Sequence, residues 1–210
     1  MTEIEILHVK NVYNKIAKSF SDTRYRPWSS VENFLDNIPE KSLIADIGCG
    51  NGKNMLYRKD CNFIGCDFSS ELVKICLEKN LNVIEGDILN IPFNTNMFDY
   101  TLCIAVIHHL STIEKRIRAI EELIRITKPG GQILIMVWAL KQPKDGKRRF
   151  ENQNNFVDFK DKHRKILGSR YYHVFEDNEL KELIPKNIKI IKYFYEVGNW
   201  GIILQKKIIL

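Results

Sequence analysis

The sequence Leu43–Asn54, LIADIGCGNGKN, decides the fold of this chain. An apolar run ends in Asp46 and is followed by three glycines at alternate positions, Gly48, Gly50 and Gly52. Because glycine has no Cβ, such a loop can adopt positive φ and let a ligand approach the backbone. A strand, a glycine loop and a helix N-terminus together form a nucleotide-binding turn. Lys53 stands where a dinucleotide site needs a small residue, which argues against NAD.

Two further acidic residues follow the next two predicted strands. The strand Asn62–Cys66 ends in Asp67, and the strand Asn82–Gly86 ends in Asp87 followed by Ile88. A carboxylate at the end of the second strand can accept hydrogen bonds from both ribose hydroxyls of an adenosine. Each aspartate alone is equally typical of a helix cap or a turn. Three acids at successive strand ends together predict an adenosyl ligand.

Predicted strands and helices alternate along the chain, which is typical of α/β folds. We expect a seven-stranded, mainly parallel sheet with helices on both faces and a C-terminal antiparallel hairpin that turns at Gly198-Asn199. A short helix is predicted after the glycine loop, and a capping box at Ser111 and Glu114 predicts another that reaches Thr127. The length favours one domain over residues 1–210. Residues 1–41 are predicted to form a helical cap across the ligand mouth.

The net charge of +6 is concentrated in one segment. Residues 141–170 contain ten basic and four acidic residues, so this basic insert carries the whole excess. A basic insert on a neutral protein favours nucleic acid as a partner, and a solvated loop is the alternative.

The cysteines and the apolar runs indicate the cellular compartment in which we expect the protein. The five cysteines form no C-x-x-C pair, so neither a zinc site nor a disulfide framework is indicated. No apolar stretch is long enough to cross a bilayer, and the N-terminal sequence MTEIEILHVK does not have the pattern of a signal peptide. We therefore expect reduced thiols and a cytoplasmic or nuclear protein that does not bind membranes.

The fourth predicted strand, Tyr100–Val106, delivers His108 and His109 to the ligand edge of the sheet. Adjacent histidines point in different directions, and no cysteine or carboxylate partner lies close in the sequence, so a metal site is not expected. Each histidine is either a capping or core group, or a donor that orients a substrate.

Several longer strings resemble eukaryotic tRNA wobble-uridine methyltransferases, which belong to the class I S-adenosylmethionine-dependent enzymes. The resemblance covers nearly the whole chain apart from the basic insert. The strings that carry it are Val12–Ala17, Thr23–Trp28, Ile104–Thr112, Lys128–Gly131, Val137–Ala139, Arg170–Phe175 and Tyr195–Trp200.

The resemblance implies a reaction, a methyl donor and two partners. The family esterifies 5-carboxymethyluridine in the anticodon loop of tRNA with S-adenosylmethionine, and acts with a small zinc-binding activator subunit. An edge strand near Val83–Gly86 is a candidate site for such a subunit.

The residue patterns, the charge of the basic insert and this resemblance together lead us to expect three groups of site residues. The donor is expected to contact Asp46, Gly48, Gly50, Asn51, Gly52, Asp67, Phe68, Asp87, Ile88 and Ala105. The carboxylate of the substrate is expected to contact Arg24, His108, His109 and Arg116. The tRNA is expected to contact Trp28, Lys147, Arg148, Arg149, Tyr172 and His173.

Two other functions fit parts of the sequence. A class I methyltransferase for a small molecule, such as a quinone precursor, shares the glycine loop but gives the basic insert no role. A non-catalytic module that binds tRNA or a partner leaves the acids at the strand ends unexplained. A short-chain reductase is excluded because no tyrosine has a lysine four residues later.

Overall fold

The computed structural model describes residues 2–146 and 148–208. Seven strands form the main sheet and two form a separate hairpin. In chain order the strands are β1 (Leu43–Ile47), β2 (Asn62–Asp67), β3 (Val83–Glu85), β4 (Phe98–Ile104), β5 (Thr127–Trp138), β6 (Asn154–Lys160), β7 (Ile166–His173), β8 (Lys189–Glu196) and β9 (Asn199–Gln205). The order across the main sheet is β3-β2-β1-β4-β5-β9-β8.

The sheet has the predicted mixture of directions. Strands β1 to β5 pair in parallel, and β9 runs antiparallel to both β5 and β8. The hairpin turns one residue earlier than predicted, at Val197 and Gly198, because both have positive φ, 43° and 80°. A tight turn between twisted strands requires that conformation at both central positions. The predicted α/β architecture is confirmed.

The described residues form six α-helices. They are α1 (Glu3–Glu5), α2 (Asn11–Ser21), α3 (Ser29–Asp36), α4 (Ser70–Glu78), α5 (Ile113–Ile126) and α6 (Glu179–Glu182). A π-helical turn, Ile6–Lys10, joins α1 to α2, and a 3₁₀ turn, Ile107–His109, follows β4. In the described part of the chain, no helix is both long enough and apolar enough to span a membrane.

Two local predictions were wrong. The helix expected after the glycine loop is absent, and residues 51–57 form successive turns instead. The cap of α5 is Thr112, whose hydroxyl accepts from the N–H of Lys115. Ser111 does not cap α5, because its hydroxyl and N–H both donate to Glu5, at 2.7 and 2.8 Å.

The core lies on both faces of the sheet, because alternate residues of each strand point to opposite sides. On one face, α5 packs Ala119, Ile120 and Leu123 against the sheet. On the other, α3 contributes Val31 and Leu35. The residues of β4 and β5 that reach both clusters are almost completely buried, as expected for central parallel strands.

The basic insert is not only a loop. Its second half forms β6 and β7, which pair antiparallel over Asn154–His173. The hairpin packs on the N-terminal helices, where the ring of Phe156 lies 4.7 Å from that of His8. The sequence interpretation missed this hairpin because polar and charged residues interrupt both strands, so neither forms a continuous apolar run.

Candidate active site

A cavity of about 600 Å³ lies at the carboxyl ends of β1, β2 and β4. Ligands of open α/β sheets bind at this edge. The N-terminal helices and the segment that joins them close one side of the cavity through Tyr13, Phe20, Arg24 and Trp28. Residues of the N-terminal segment therefore form part of the cavity lining.

The glycine loop presents bare backbone to the cavity. Gly48 and Gly50 line it with φ of 74° and 57°. A Cβ on Gly48 would lie 2.2 Å from Cγ2 of Val106, so a larger residue would displace the loop. Gly52 also has positive φ but does not line the cavity, and a Cβ there would meet Cδ1 of Leu81 at 2.2 Å. The first two glycines therefore face a ligand, while the third permits close packing.

The acids that end β1 and β2 have different surroundings. Asp46 is fully buried, does not line the cavity, and accepts a hydrogen bond from Nδ2 of Asn54 at 3.3 Å. Burial raises the pKa of Asp46 to about 7. Asp67 lines the cavity and accepts from the N–H groups of Gly50, at 2.8 Å, and Ser69, at 2.9 Å. Asp67 is therefore the acid that faces a ligand, whereas Asp46 supports the loop from inside.

The far wall of the cavity combines an acceptor with apolar side chains. Asp87, Ile88 and Phe68 all line it. One carboxylate oxygen of Asp87 accepts from the N–H of Leu89 at 2.9 Å, and the other has no partner among the described residues. Ala105, directly after β4, also lines the cavity and has φ of 63°, which is unusual for a residue with a side chain. This wall suits a flat heteroaromatic ring that carries an amine.

Asn51 joins the glycine loop to the N-terminal segment. Its Nδ2 donates to the carbonyl oxygens of Ser21, at 3.3 Å, and Arg24, at 2.9 Å. The residue is buried and also lines the cavity. Its side chain therefore holds the segment that carries Arg24 and Trp28 over the mouth.

Substitution of Asn51 by alanine is expected to loosen this segment. Each lost hydrogen bond contributes about 1 kcal/mol, so backbone amide exchange in residues 22–28 should become roughly tenfold faster. Hydrogen-exchange mass spectrometry of the full chain measures this. Asn37→Ala, which removes a similar bond to the carbonyl oxygen of Asn33 at the end of α3, is the control. Unchanged exchange in residues 22–28 would contradict the role given to Asn51.

The hydrogen bonds of the two adjacent histidines fix their tautomers. Nδ1 of His108 accepts from the N–H of Trp138 at 3.0 Å, so neutral His108 carries its proton on Nε2. Nδ1 of His109 lies 2.7 Å from the carbonyl oxygen of Tyr171, which can only accept, so this nitrogen donates. Nε2 of His109 then accepts from the hydroxyl of Tyr13 at 3.0 Å.

These bonds give the two histidines different roles. Burial lowers the pKa of both imidazoles, that of His109 to about 3, so both are neutral at pH 7. His109 uses both nitrogens on the protein and positions Tyr13. Nε2 of His108 has no partner among the described residues, and His108 lines the cavity. His108 is therefore the histidine that can donate to a bound molecule.

Nitrogen NMR of the imidazoles tests both the tautomers and the charge. We expect neutral His108 with Nε2 protonated and neutral His109 with Nδ1 protonated from pH 8 to about pH 5. The unfolded chain takes up a proton on His109 near its ordinary pKa of 6.5, whereas the folded chain does so near 3. His109 therefore contributes stability above pH 6.5 that declines as the pH falls toward 3. Titration of either ring near 6.5 in the folded protein would contradict this assignment.

Four of the predicted substrate-contacting residues line the cavity besides the histidines. They are Arg24, Trp28, Arg148 and Tyr172. The guanidinium of Arg148 lies 3.6 Å from the ring centre of Trp138. The ring of Tyr172 stacks on Trp138 at 4.1 Å. This end of the cavity therefore combines aromatic faces with guanidinium groups.

Arg116 does not reach the cavity, contrary to the prediction. It lies one turn into α5, where Nη1 donates to the carbonyl oxygen of Leu110 at 3.0 Å. Its guanidinium lies 5.9 Å from the ring centre of Phe175. The buried arginine thus ties the start of α5 to the loop after β4, because the helix directs its side chain into the protein.

Two further predicted residues, His173 and Arg149, do not line the cavity, and a third lies outside the described residues. His173 is held by Glu179, at 2.6 Å from Nε2, and by Asn154, at 3.0 Å from Nδ1. Arg149 donates to loop carbonyls, among them that of Gly146 at 2.7 Å. Lys147 lies outside the described residues. His173 and Arg149 therefore organise their own segments in this structure.

Sequence reasoning missed Arg170 as a site residue. It counted this arginine in the positive charge of the basic insert and in the string Arg170–Phe175, but gave it no role in the site. In the structure Arg170 is buried, 6% exposed, and lines the cavity. The available signal was its place in the string Arg170–Phe175, next to Tyr172, where β7 packs against the N-terminal helices.

Comparisons with known proteins agree with this geometry. A family model described as "Methyltransferase domain" matches residues 45–135. The chain is 39% identical to "tRNA (carboxymethyluridine(34)-5-O)-methyltransferase" of Schizosaccharomyces pombe, over 97% of this chain and 98% of that protein. It is 34% identical to "tRNA (carboxymethyluridine(34)-5-O)-methyltransferase alkbh8" of Xenopus tropicalis, over 97% of this chain. That alignment covers only 41% of the Xenopus protein, so the chain spans less than half of its length.

Several solved structures are similar over almost the whole chain, and one of them contains a second protein. It is described as "Complex between the Haloferax volcanii Trm112 methyltransferase activator and the putative methyltransferase". The TM-score is 0.69 with 16% sequence identity, and the match covers 96% of this chain and 99% of that one. At this identity the likeness describes the fold alone.

Proposed function

This chain belongs to the tRNA (carboxymethyluridine(34)-5-O)-methyltransferase family, and from that premise we propose its reaction. It transfers a methyl group from S-adenosylmethionine to the carboxylate of 5-carboxymethyluridine at the wobble position of tRNA. The observation that carries the proposal is the identity to the Schizosaccharomyces pombe relative across both full lengths, together with a cavity at the ligand edge of the sheet.

The residues of the cavity fit the methyl donor. Gly48 and Gly50 leave backbone open where a ligand lies, Asp67 offers acceptors for ribose hydroxyls, and Asp87 with Ile88 suits an adenine. When bound, S-adenosylmethionine supplies an electrophilic methyl group on a sulfonium. Asp46 assists without direct contact, because it fixes the loop through Asn54.

The reaction requires the protein to align the substrate, but it does not require a general base. A carboxylate is already ionised at neutral pH, so no proton has to be removed before it reacts. What remains is to hold the anion in line and exclude water, which can lower a barrier by several kcal/mol. His108 donates from Nε2 to one carboxylate oxygen, and Arg24 adds positive charge at the mouth. The other oxygen stays free to react.

The tRNA binds the basic side of the molecule. Exposed basic residues surround the turn between β6 and β7, namely Lys160, Lys162, Arg164 and Lys165. Arg148 is also exposed and lines the cavity, so it extends the positive surface to the mouth of the cavity. Phosphate contacts from these groups weaken with salt, while the aromatic faces of Trp138 and Tyr172 suit an unpaired base.

A small zinc-binding activator subunit pairs with the edge strand β3. This part of the proposal is supported by position, because β3 ends the sheet on one side. Its support from comparison is a similar fold that was solved with a methyltransferase activator. An added strand would satisfy the free backbone groups of β3.

The test is methyl transfer from labelled S-adenosylmethionine to tRNA that contains 5-carboxymethyluridine, with and without a candidate activator. We expect label in tRNA that ribonuclease releases, and less label as salt rises. Replacement of Lys160, Lys162, Arg164 and Lys165 by glutamine should raise the tRNA KM severalfold and flatten the salt dependence. Label that resists ribonuclease would favour the small-molecule enzyme instead.

A further inference from the structure

Arg170 is a buried cation that the described protein does not neutralise. It is 6% exposed, and its guanidinium forms no ion pair with any described carboxylate. Its Nε is buried without a hydrogen-bond partner. A buried charge is unfavourable unless an opposite charge or several hydrogen bonds compensate it. Because Arg170 lines the cavity, the compensating group can come from a bound molecule.

Aromatic rings hold this guanidinium in place without neutralising it. Its central carbon lies 5.8 Å from the ring centre of Tyr13, 5.3 Å from that of Phe159 and 5.2 Å from that of Tyr172. Nη1 lies 3.5 Å from the hydroxyl of Tyr13, which also donates to His109. The rings restrict the orientation of the side chain, so its remaining N–H groups are pre-ordered for a planar anion.

Other positively charged side chains add to the positive potential around Arg170. Arg24, Lys53 and Arg148 also line the cavity. Burial and then the charge of Arg24 lower the pKa of Lys53. Glu5, an acid of the lining on this side, already accepts from Lys115 and Ser111. This end of the cavity is therefore short of negative charge.

We propose that Arg170 is a specificity-determining residue that binds the carboxylate of the 5-carboxymethyl group and selects it over neutral substituents of the same shape. The inference rests on the proposed function. A carboxylate is favoured over a backbone phosphate because Arg170 is buried among Tyr13, Phe159 and Tyr172, whereas the exposed Arg148 lies where a phosphate can reach. Arg170 acts in binding, since the carboxylate loses its charge during the transfer.

The test compares two anticodon stem-loops that differ only in the wobble substituent, carboxymethyl or carbamoylmethyl. Fluorescence anisotropy measures their Kd for the full chain saturated with S-adenosylhomocysteine, at fixed salt. We expect the wild type to prefer the carboxylate by roughly 10- to 100-fold and R170Q to lose that preference. R170K keeps the charge but not the fork of donors and should be intermediate. R116Q removes another buried arginine, outside the cavity, and should keep the wild-type ratio.

The possible outcomes distinguish a failure of the role given to Arg170 from a failure of the proposed function. R170Q that retains the carboxylate preference overturns the role of Arg170 while leaving the reaction intact. R170Q that weakens both stem-loops equally also overturns it, because Arg170 then binds the RNA backbone. A wild type without preference that also makes no methyl ester refutes the proposed function itself. Calorimetric binding of S-adenosylhomocysteine confirms that each variant is folded, and R170K decides if R170Q is not.

Discussion

Asp67→Ala is expected to weaken the binding of S-adenosylhomocysteine by at least roughly 100-fold. The carboxylate accepts two backbone hydrogen bonds, from Gly50 and Ser69, and lines the cavity where ribose hydroxyls are expected. The substitution therefore removes a ligand contact and also frees the glycine loop from the end of β2. Hydrogen bonds to a charged group contribute about 1.5–3 kcal/mol each, so the losses multiply.

Isothermal calorimetry measures this effect, with Glu71→Gln on the surface of α4 as the control. Asp67→Asn keeps one oxygen acceptor and should give an intermediate affinity. The thermal unfolding midpoint of Asp67→Ala should also fall without ligand, because the N–H groups of Gly50 and Ser69 lose their acceptor. Wild-type affinity in Asp67→Ala would show that the adenosyl ligand lies elsewhere.

His108→Ala is expected to lower kcat by about 100-fold without changing the affinity for S-adenosylhomocysteine. The imidazole is neutral, its Nδ1 is fixed by the N–H of Trp138, and its Nε2 is directed to the cavity. Since no base is needed, the lost contribution is orientation of the carboxylate, and a small misplacement suffices for this loss. Single-turnover assays at saturating tRNA isolate the chemical step from binding.

The exposed His163→Ala is the matched control for this substitution. His109→Ala should behave differently, because His109 is saturated by Tyr13 and the carbonyl of Tyr171. Its removal should lower the free energy of unfolding as well as the rate. If His108→Ala retained the wild-type kcat, the substrate carboxylate would have to be aligned by the arginines alone.

The sheet and the donor side of the site could be predicted because their residues are local in sequence. Each strand that ends in an acid is a short apolar run followed by a turn, so Asp46, Asp67 and Asp87 fall at one edge by topology alone. The glycine loop has positive φ at Gly48 and Gly50, and the sequence indicates this because glycine adopts that conformation readily. The sequence could not show how deeply each acid is buried. It placed both Asp46 and Asp67 against the ligand, and of these two only Asp67 lines the cavity.

The part of the site that faces the substrate depends on contacts between segments that are distant in the sequence. The spacing of residues within a motif does not reveal such contacts. Arg170 and Tyr13 are far apart in the chain and meet only because β7 packs on the N-terminal helices. Arg116 was expected to contact the substrate carboxylate as a positively charged donor, but the helix directs its side chain toward Phe175. The hairpin of the basic insert escaped prediction because β6 is half exposed and β7 is buried only at its end, so neither strand shows a continuous apolar run.

Mass spectrometry of the wobble nucleoside shows whether this chain makes the methyl ester. Purified tRNA that carries 5-carboxymethyluridine is incubated with the full chain, S-adenosylmethionine and a candidate activator, then digested to nucleosides. We predict that the modified uridine gains one methyl group and that mild alkali removes it, because an ester is saponified. A wobble nucleoside that remains unmethylated while the protein binds S-adenosylhomocysteine, or that carries an alkali-stable methyl group, would contradict it.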